Sequence, residues 1–233
     1  MTRISITLIA FVIACVTYAS AEDLVPDVSP IISKKGTLLF EDDFDETTKK
    51  PKWYGKHGTQ WEVVNGALRG GPSSKEFQQK RIAKGDAAHS GRSPAGRLLV
   101  PTDDCIVLFR FKMSNGLSEA HFGFDDGSKG TGHLARFIVS TKKGIAIQRD
   151  MNAKVKGEKN RVLVSKEVEI KPDTWHWMML EVVGNKLVGQ ILGGAVLEAE
   201  HERFDMSKGQ INLPNRGHGG TIYYDHVRVW KAR

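Results

Sequence analysis

Thr221-Ile222-Tyr223-Tyr224-Asp225-His226-Val227-Arg228-Val229-Trp230 closes the chain and decides its fold. Its counterpart near the start is Thr37-Leu38-Leu39-Phe40-Glu41-Asp42-Asp43-Phe44. Both stretches alternate apolar and polar residues over part of their length and are rich in β-branched and aromatic side chains, which is the pattern of half-buried strands. A chain that opens and closes on such strands is expected to pair its ends within one sheet.

Strand signals continue between them. Trp61-Glu62-Val63-Val64 and Ala67-Leu68-Arg69 flank Asn65-Gly66, a dipeptide suited to the positive φ angles of a two-residue hairpin. Cys105, Val107, Phe109, Phe111 and Met113 alternate with Arg110 and Lys112. Further strands are expected over 120–124, 134–140, 144–150, 162–170, 175–183, 186–192 and 195–201, with Gly184-Asn185 and Gly193-Gly194 as sharp turns. Trp175-His176-Trp177-Met178-Met179-Leu180 is apolar on both faces and reads as an interior strand. Ile211-Asn212-Leu213 precedes the final strand. Residues 70–97 break the rhythm and read as a functional loop, with one short helical turn over Lys75–Lys84. The pattern as a whole is all-β, an antiparallel β-sandwich.

The first residues read as an export signal. Arg3 precedes an apolar run over residues 4–16, and Ala19-Ser20-Ala21 offers a small-residue cleavage site. The run is too short for a membrane span. This divides the chain into a signal peptide (1–21), a flexible N-terminal tail (22–35) and one sandwich domain (36–233). The protein is then secreted or periplasmic. Val12-Ile13-Ala14-Cys15 permits an alternative, a lipoprotein anchored through Cys15. Beyond residue 21 only Cys105 remains, so no internal disulfide can form, and it reads as a small buried hydrophobe.

The formal net charge is +7. Lys142, Lys143, Lys154, Lys156, Lys159 and Arg161 concentrate part of it, either as a solvated face or as a contact for an anionic glycan. Export and the lack of an aromatic-basic recognition motif argue against nucleic acid. The eight histidines form no His-Glu-x-x-His pair, and Gly217-His218-Gly219-Gly220 reads as a turn.

Leu39-Phe40-Glu41-Asp42-Asp43-Phe44, Trp61-Glu62-Val63-Val64-Asn65-Gly66-Ala67-Leu68, Trp175-His176 with Glu181-Val182, and Asp225-His226-Val227-Arg228-Val229-Trp230 follow one another in an order that resembles the concanavalin A-like lectin/glucanase jelly rolls. Gly132-His133-Leu134-Ala135-Arg136 and Gln148-Arg149-Asp150 are similar to the bacterial secreted domains described as 3-keto-disaccharide hydrolase-like. The resemblance implies a curved sandwich whose concave face holds a saccharide or glycan. It also implies either carbohydrate binding or processing, a 3-keto-glycoside hydrolase or lyase, or a structural, adhesive cell-surface domain. The Glu-x-Asp-x-x-Glu strand of the glucanase branch is missing. Such folds often tie their end strands with a cation, which makes Asp43 and Asp225 candidates for a structural Ca2+; no other cofactor is expected.

The polar candidates lie in the middle strands. His121 and Asp125 share a face, with Gly123 between them leaving room for a ligand. Gln148 and Asp150 share another. In a regular strand His133 and Arg136 face opposite ways, so both reach one groove only if His133 lies in the preceding loop. These six residues form the expected ligand site. Asp150 and His133 are its candidates for proton abstraction beside a keto group.

Overall fold

The computed structural model describes residues 25–45, 52–127, 132–217 and 219–233. Fifteen strands and one α-helix account for most of them. The signal-peptide, cleavage-site and Cys15 readings lie outside the described residues, as does His218. No described helix is long and apolar enough to cross a membrane.

Two antiparallel sheets pack face to face. The first contains β1 (Lys35–Asp42), β3 (Gln60–Val64), β4 (Ala67–Gly71), β6 (Cys105–Met113), β11 (His176–Val183), β12 (Lys186–Ile191), β13 (Val196–Glu200) and β15 (Ile222–Ala232). The second contains β2 (Trp53–Gly55), β5 (Ala95–Leu98), β7 (Leu117–Asp126), β8 (His133–Ser140), β9 (Gly144–Arg149), β10 (Arg161–Lys166) and β14 (Lys208–Gly217). Its strand order is β10-β9-β8-β7-β14-β5-β2.

The end strands pair as expected: Phe40 lies opposite Val229 and Asp42 opposite Val227. Asn65 and Gly66 take φ of 51° and 71°, joining β3 to β4 through the two-residue turn that right-twisted strands favour. β11 lies between β6 and β12 and is covered on both faces, Met178 and Leu180 in the core and Met179 under the outer cluster, which explains its apolar residues on both faces. Residues 70–97 contain α1 (Lys75–Ala83), capped where Phe77 N–H donates to Ser74 Oγ, and end in β5.

The alternation of the strands builds the core. Phe109, Phe111, Met178, Leu180 and Tyr224 of the first sheet meet Phe122, Phe124, Phe137, Ile145 and Ile147 of the second. Cys105 is fully buried, and burial pushes its thiol pKa up to about 12, so it is an inert hydrophobe.

The outer face of the first sheet is covered. Ile106, Leu108 and Met179 are buried there under Val28, Trp177 and Trp230. The segment before β1, expected to be a tail, is anchored on the same face. The buried Glu181 carboxylate accepts from Ile31 N–H (2.5 Å), Ile32 N–H (3.1 Å) and Ser33 Oγ (2.8 Å).

Candidate functional site

The outer face of the second sheet is lined by polar side chains from neighbouring strands. In β7 the apolar Ala120, Phe122 and Phe124 point inward, which turns Glu119, His121, Gly123 and Asp125 outward. Continuous register then carries one row of residues across all seven strands. Tyr54 pairs with Arg97, Arg97 with Asn212, Asn212 with Gly123, Gly123 with Arg136, Arg136 with Gln148, and Gln148 with Val162. At the usual interstrand spacing this row spans about 29 Å. Its two ends, Tyr54 and Val162, are exposed.

Side-chain hydrogen bonds cross-link this face. Arg136 Nε donates to Asp150 Oδ2 at 2.6 Å, and Gln148 Nε2 donates to Asp150 Oδ1 at 2.6 Å. Arg136 Nη1 lies 3.2 Å from His121 Nδ1, and His121 Nε2 lies 3.0 Å from Glu119 Oε2. The guanidinium can only donate, so His121 Nδ1 accepts and Nε2 carries the proton toward Glu119. His133 Nδ1 pairs with Asp125 Oδ1, and Gln210 Nε2 donates to Asp125 Oδ2. Asn212 Nδ2 lies 3.0 Å from His133 Nδ1, and Arg97 Nη1 donates to Gln210 Oε1 at 3.2 Å.

Burial holds His121 below its ordinary 6.5; Glu119 opposes this, while Arg136 and Arg216 reinforce it. The imidazole is therefore neutral at pH 7, in keeping with its accepting Nδ1. Burial alone would raise the Asp125 carboxyl, but His133, Gln210 and Lys56 together hold it below 3.8.

His121, Asp125, His133, Arg136, Gln148 and Asp150 thus all lie on one face, in two hydrogen-bonded clusters, Glu119–His121–Arg136–Asp150–Gln148 and Asn212–His133–Asp125–Gln210–Arg97, with two corrections to what their spacing implies. His133 and Arg136 reach the same face although His133 is part of β8. The register shifts between Phe124–Ala135 and Asp125–His133, so Leu134 and Ala135 share the place of one residue and both are buried. That bulge rephases the strand. The space over Gly123 is also not open. A Cβ there would lie 2.8 Å from the Ala135 carbonyl oxygen and 3.1 Å from Arg136 Cγ, so the arginine stem fills it.

Asp43 and Asp225 take other partners. Asp43 contacts His226 Nδ1 at 2.8 Å and Arg228 Nη2 at 2.6 Å, whereas Asp225 accepts from Arg110 Nε and Nη2 at 3.0 and 2.6 Å. Protein cations already neutralise both carboxylates, and no group of three or more His, Cys, Asp or Glu among the described residues could hold a metal. A calcium tie between them does not fit this geometry. Trp175 and Trp177 lie on the first sheet, Trp175 under Arg110 and Lys112 and Trp177 stacked on His226.

Two depressions adjoin the network. One, of about 460 Å³, is floored by Ile138, Ala146 and Gln148 and bordered by Glu119, His121, Lys142, Lys143 and Glu167. The other, of about 470 Å³, lies between Pro214 and Arg216 of β14 and the segment from Ala87 to Ser93. Only part of the basic stretch, Lys142 and Lys143, borders the face. Sequence reasoning missed Tyr54, Lys56, Arg97, Glu119, Gln210 and Asn212. The alternation Gln210-Ile211-Asn212-Leu213 was the one signal that could have found the last pair.

No family model matches the chain, and no curated protein matches it at the sequence level. Solved structures do. A carbohydrate-binding module, CBM66, from Bacillus subtilis superposes with a TM-score of 0.56 at 13% identity, covering 79% of this chain and 97% of that one. A β-glucanase of Bacillus licheniformis gives 0.57 at 13%, covering 84% and 99%. An endo-β-galactosidase from Clostridium perfringens that releases GlcNAcα1-4Gal gives 0.60 at 15%, covering 88% and 65%. Likeness at this level of identity establishes fold: the sandwich is a concanavalin A-like jelly roll.

Proposed function

We propose that residues 36–233 act as one exported jelly-roll domain that binds a saccharide chain along the outer face of the second sheet. The observation that carries this reading is the unbroken seven-residue row from Tyr54 to Val162. It brings the polar side chains of Arg97, Asn212, Arg136 and Gln148 into one line, with an exposed aromatic ring at one end for stacking. The solved structures named above include a carbohydrate-binding module and glycanases, which supports a glycan ligand.

The network favours recognition over catalysis. Both nitrogens of His121 already have partners, which leaves it no lone pair for a substrate proton, and each oxygen of Asp150 and of Asp125 already accepts a hydrogen bond that holds the side chain in place. Fixed side chains of this kind lose little freedom on meeting a ligand.

Tyr54→Ala tests the reading, because this ring is exposed and its removal leaves the core intact. On a glycan array followed by calorimetry, the wild-type chain should select a saccharide and Tyr54→Ala should weaken it about tenfold, the usual scale for losing a stacking anchor. An unchanged affinity would remove the ligand from this row.

One observation supports an enzymatic reading, a lyase or hydrolase of 3-keto glycosides. The His133 ring is 38% exposed, Asp125 orients it through Nδ1, and Nε2 has no protein partner among the described residues. Such a His could take the proton beside the keto group, so that the carbonyl accepts the electrons and expels the aglycone. Product formation from a 3-keto glycoside, lost in His133→Ala, would establish it. Full turnover in both His133→Ala and Asp150→Ala would exclude it.

A further inference from the structure

We propose that the edge of this face formed by β2 and β5 is a subsite for an anionic sugar substituent, a carboxylate or a sulfate ester, held between the Lys56 ammonium and the Arg97 guanidinium. This inference rests on the saccharide reading above and names the class of sugar.

The argument begins with register. Tyr54 lies opposite Arg97, and Lys56 N–H donates to the Ala95 carbonyl at 2.7 Å, continuing the β2–β5 ladder by one residue. Tyr54, Lys56 and Arg97 therefore share the outer face, the lysine one pleat beyond the tyrosine.

Charge pairing on this face is uneven. Arg136 has Asp150 and Arg216 has Glu119. Among the described residues Arg97 and Lys56 have no carboxylate partner. The one hydrogen bond of Arg97 goes to the neutral amide oxygen of Gln210, and its Nε is buried without a partner. Gln210 is committed to that arrangement, since its Nε2 donates to Asp125 and leaves only Oε1 for the arginine. Asp125 is the acid whose charge acts on Lys56, and its two oxygens are hydrogen-bonded to His133 and Gln210.

Lys56 is half-buried, and its ammonium makes no hydrogen bond or ion pair among the described residues. Burial lowers its pKa; Asp125 opposes the change, whereas Arg97 and Arg136 add to it. Holding two partly desolvated cations side by side without a counter-ion is unfavourable, and a ligand anion relieves it through charge-assisted hydrogen bonds. The adjacent Tyr54 ring gives the sugar bearing that anion a surface to lie on.

The test compares three oligosaccharides of equal length by calorimetry on the full chain: a galacturonan (carboxylate), a sulfated galactan (sulfate ester) and a neutral β-1,4-galactan. At least one acidic probe should bind about tenfold more tightly than the neutral one at low salt, with the margin shrinking as sodium chloride is added. Lys56→Met should remove most of that margin and leave neutral binding unchanged, whereas Arg97→Gln, a member of the row itself, should lower acidic binding more than neutral binding. Lys142→Gln/Lys143→Gln should not affect it. The stronger acidic probe identifies the anion as carboxylate or sulfate. Equal binding of acidic and neutral probes would overturn the anionic subsite and leave the saccharide reading standing. Loss of the margin only in the Lys142/Lys143 variant would overturn its position. Failure of all three probes would overturn both readings. A thermal melt checks folding; should Arg97→Gln unfold, Lys56→Met alone decides the outcome.

Discussion

Replacing Arg136 by Met tests whether the network is a rigid platform. The Asp150 side chain is 2% exposed and that of Arg136 13%, and their closest contact is 2.6 Å. Methionine keeps the aliphatic stem that packs over Gly123 while removing the charge. The buried carboxylate then retains only the Gln148 amide, and His121 Nδ1 loses its donor. Breaking a buried pair from one side costs about 3–5 kcal/mol, and the surviving amide bond puts this case near 3 kcal/mol. With a urea m-value of about 2–3 kcal/mol/M for a chain of this size, the unfolding midpoint should fall by about 1–1.5 M. Asp150→Asn should cost less, because the arginine it strands can still reach water. The double variant Arg136→Met/Asp150→Asn should recover part of the loss, giving a coupling of about 2 kcal/mol. Strict additivity, or a cost below about 1 kcal/mol for Arg136→Met, would show a solvent-screened pair and refute the platform.

Other expectations follow from the same contacts. A Cβ on Gly189 would fall 2.2 and 2.4 Å from ring carbons of Phe137 in the opposite sheet, so Gly189→Ala should cost about 2–3 kcal/mol in a thermal melt; a neutral result would mean that the sheets are not so closely packed. His121 sits below its ordinary 6.5 through burial, opposed by Glu119 and reinforced by Arg136 and Arg216, so the unfolded chain binds a proton first. Its contribution to stability is therefore full above pH 6.5 and is lost as pH falls from there toward the lower folded-state value; the slope should flatten in His121→Gln, read by denaturant melts across that range. Glu181→Gln removes charge assistance from three hydrogen bonds to residues 31–33, which should cost about 1–3 kcal/mol and expose the segment to limited proteolysis or faster hydrogen exchange; unchanged protection would deny its anchoring role.

The sandwich was legible because its signals are local and repeated. Alternation in 105–113 and 222–230, the Asn65-Gly66 turn and the two-sided apolar strand at 176–180 each follow from the pleat and from burial. The six expected site residues do come together, since Glu119, His121, Gly123 and Asp125 project opposite a run of inward aromatics. What escaped depends on long-range pairing. Nothing near Arg97 or Lys56 reveals that β5 will lie beside β14 and β2 beside β5. The bulge at Leu134 is a one-residue change of phase marked only by two adjacent apolar residues. Asp43 and Asp225 have the right charge and location for a cation, but Arg110, Arg228 and His226 reach them first.

The pairing of β1 with β15 also sets how the domain responds to force. Lys34 and Arg233 exchange two backbone hydrogen bonds of 3.0 Å, and the ladder runs from there to Asp42–Val227. Tension applied at residues 34 and 233 meets that ladder at one end. It opens the bonds in sequence, as a zipper does, so that none shares the load with the rest. β15 is held along its other edge by β6, so β1 should peel away first and leave the seven-stranded second sheet standing. Pulled through these two points, the domain would release one strand at low force while the rest of the sandwich holds.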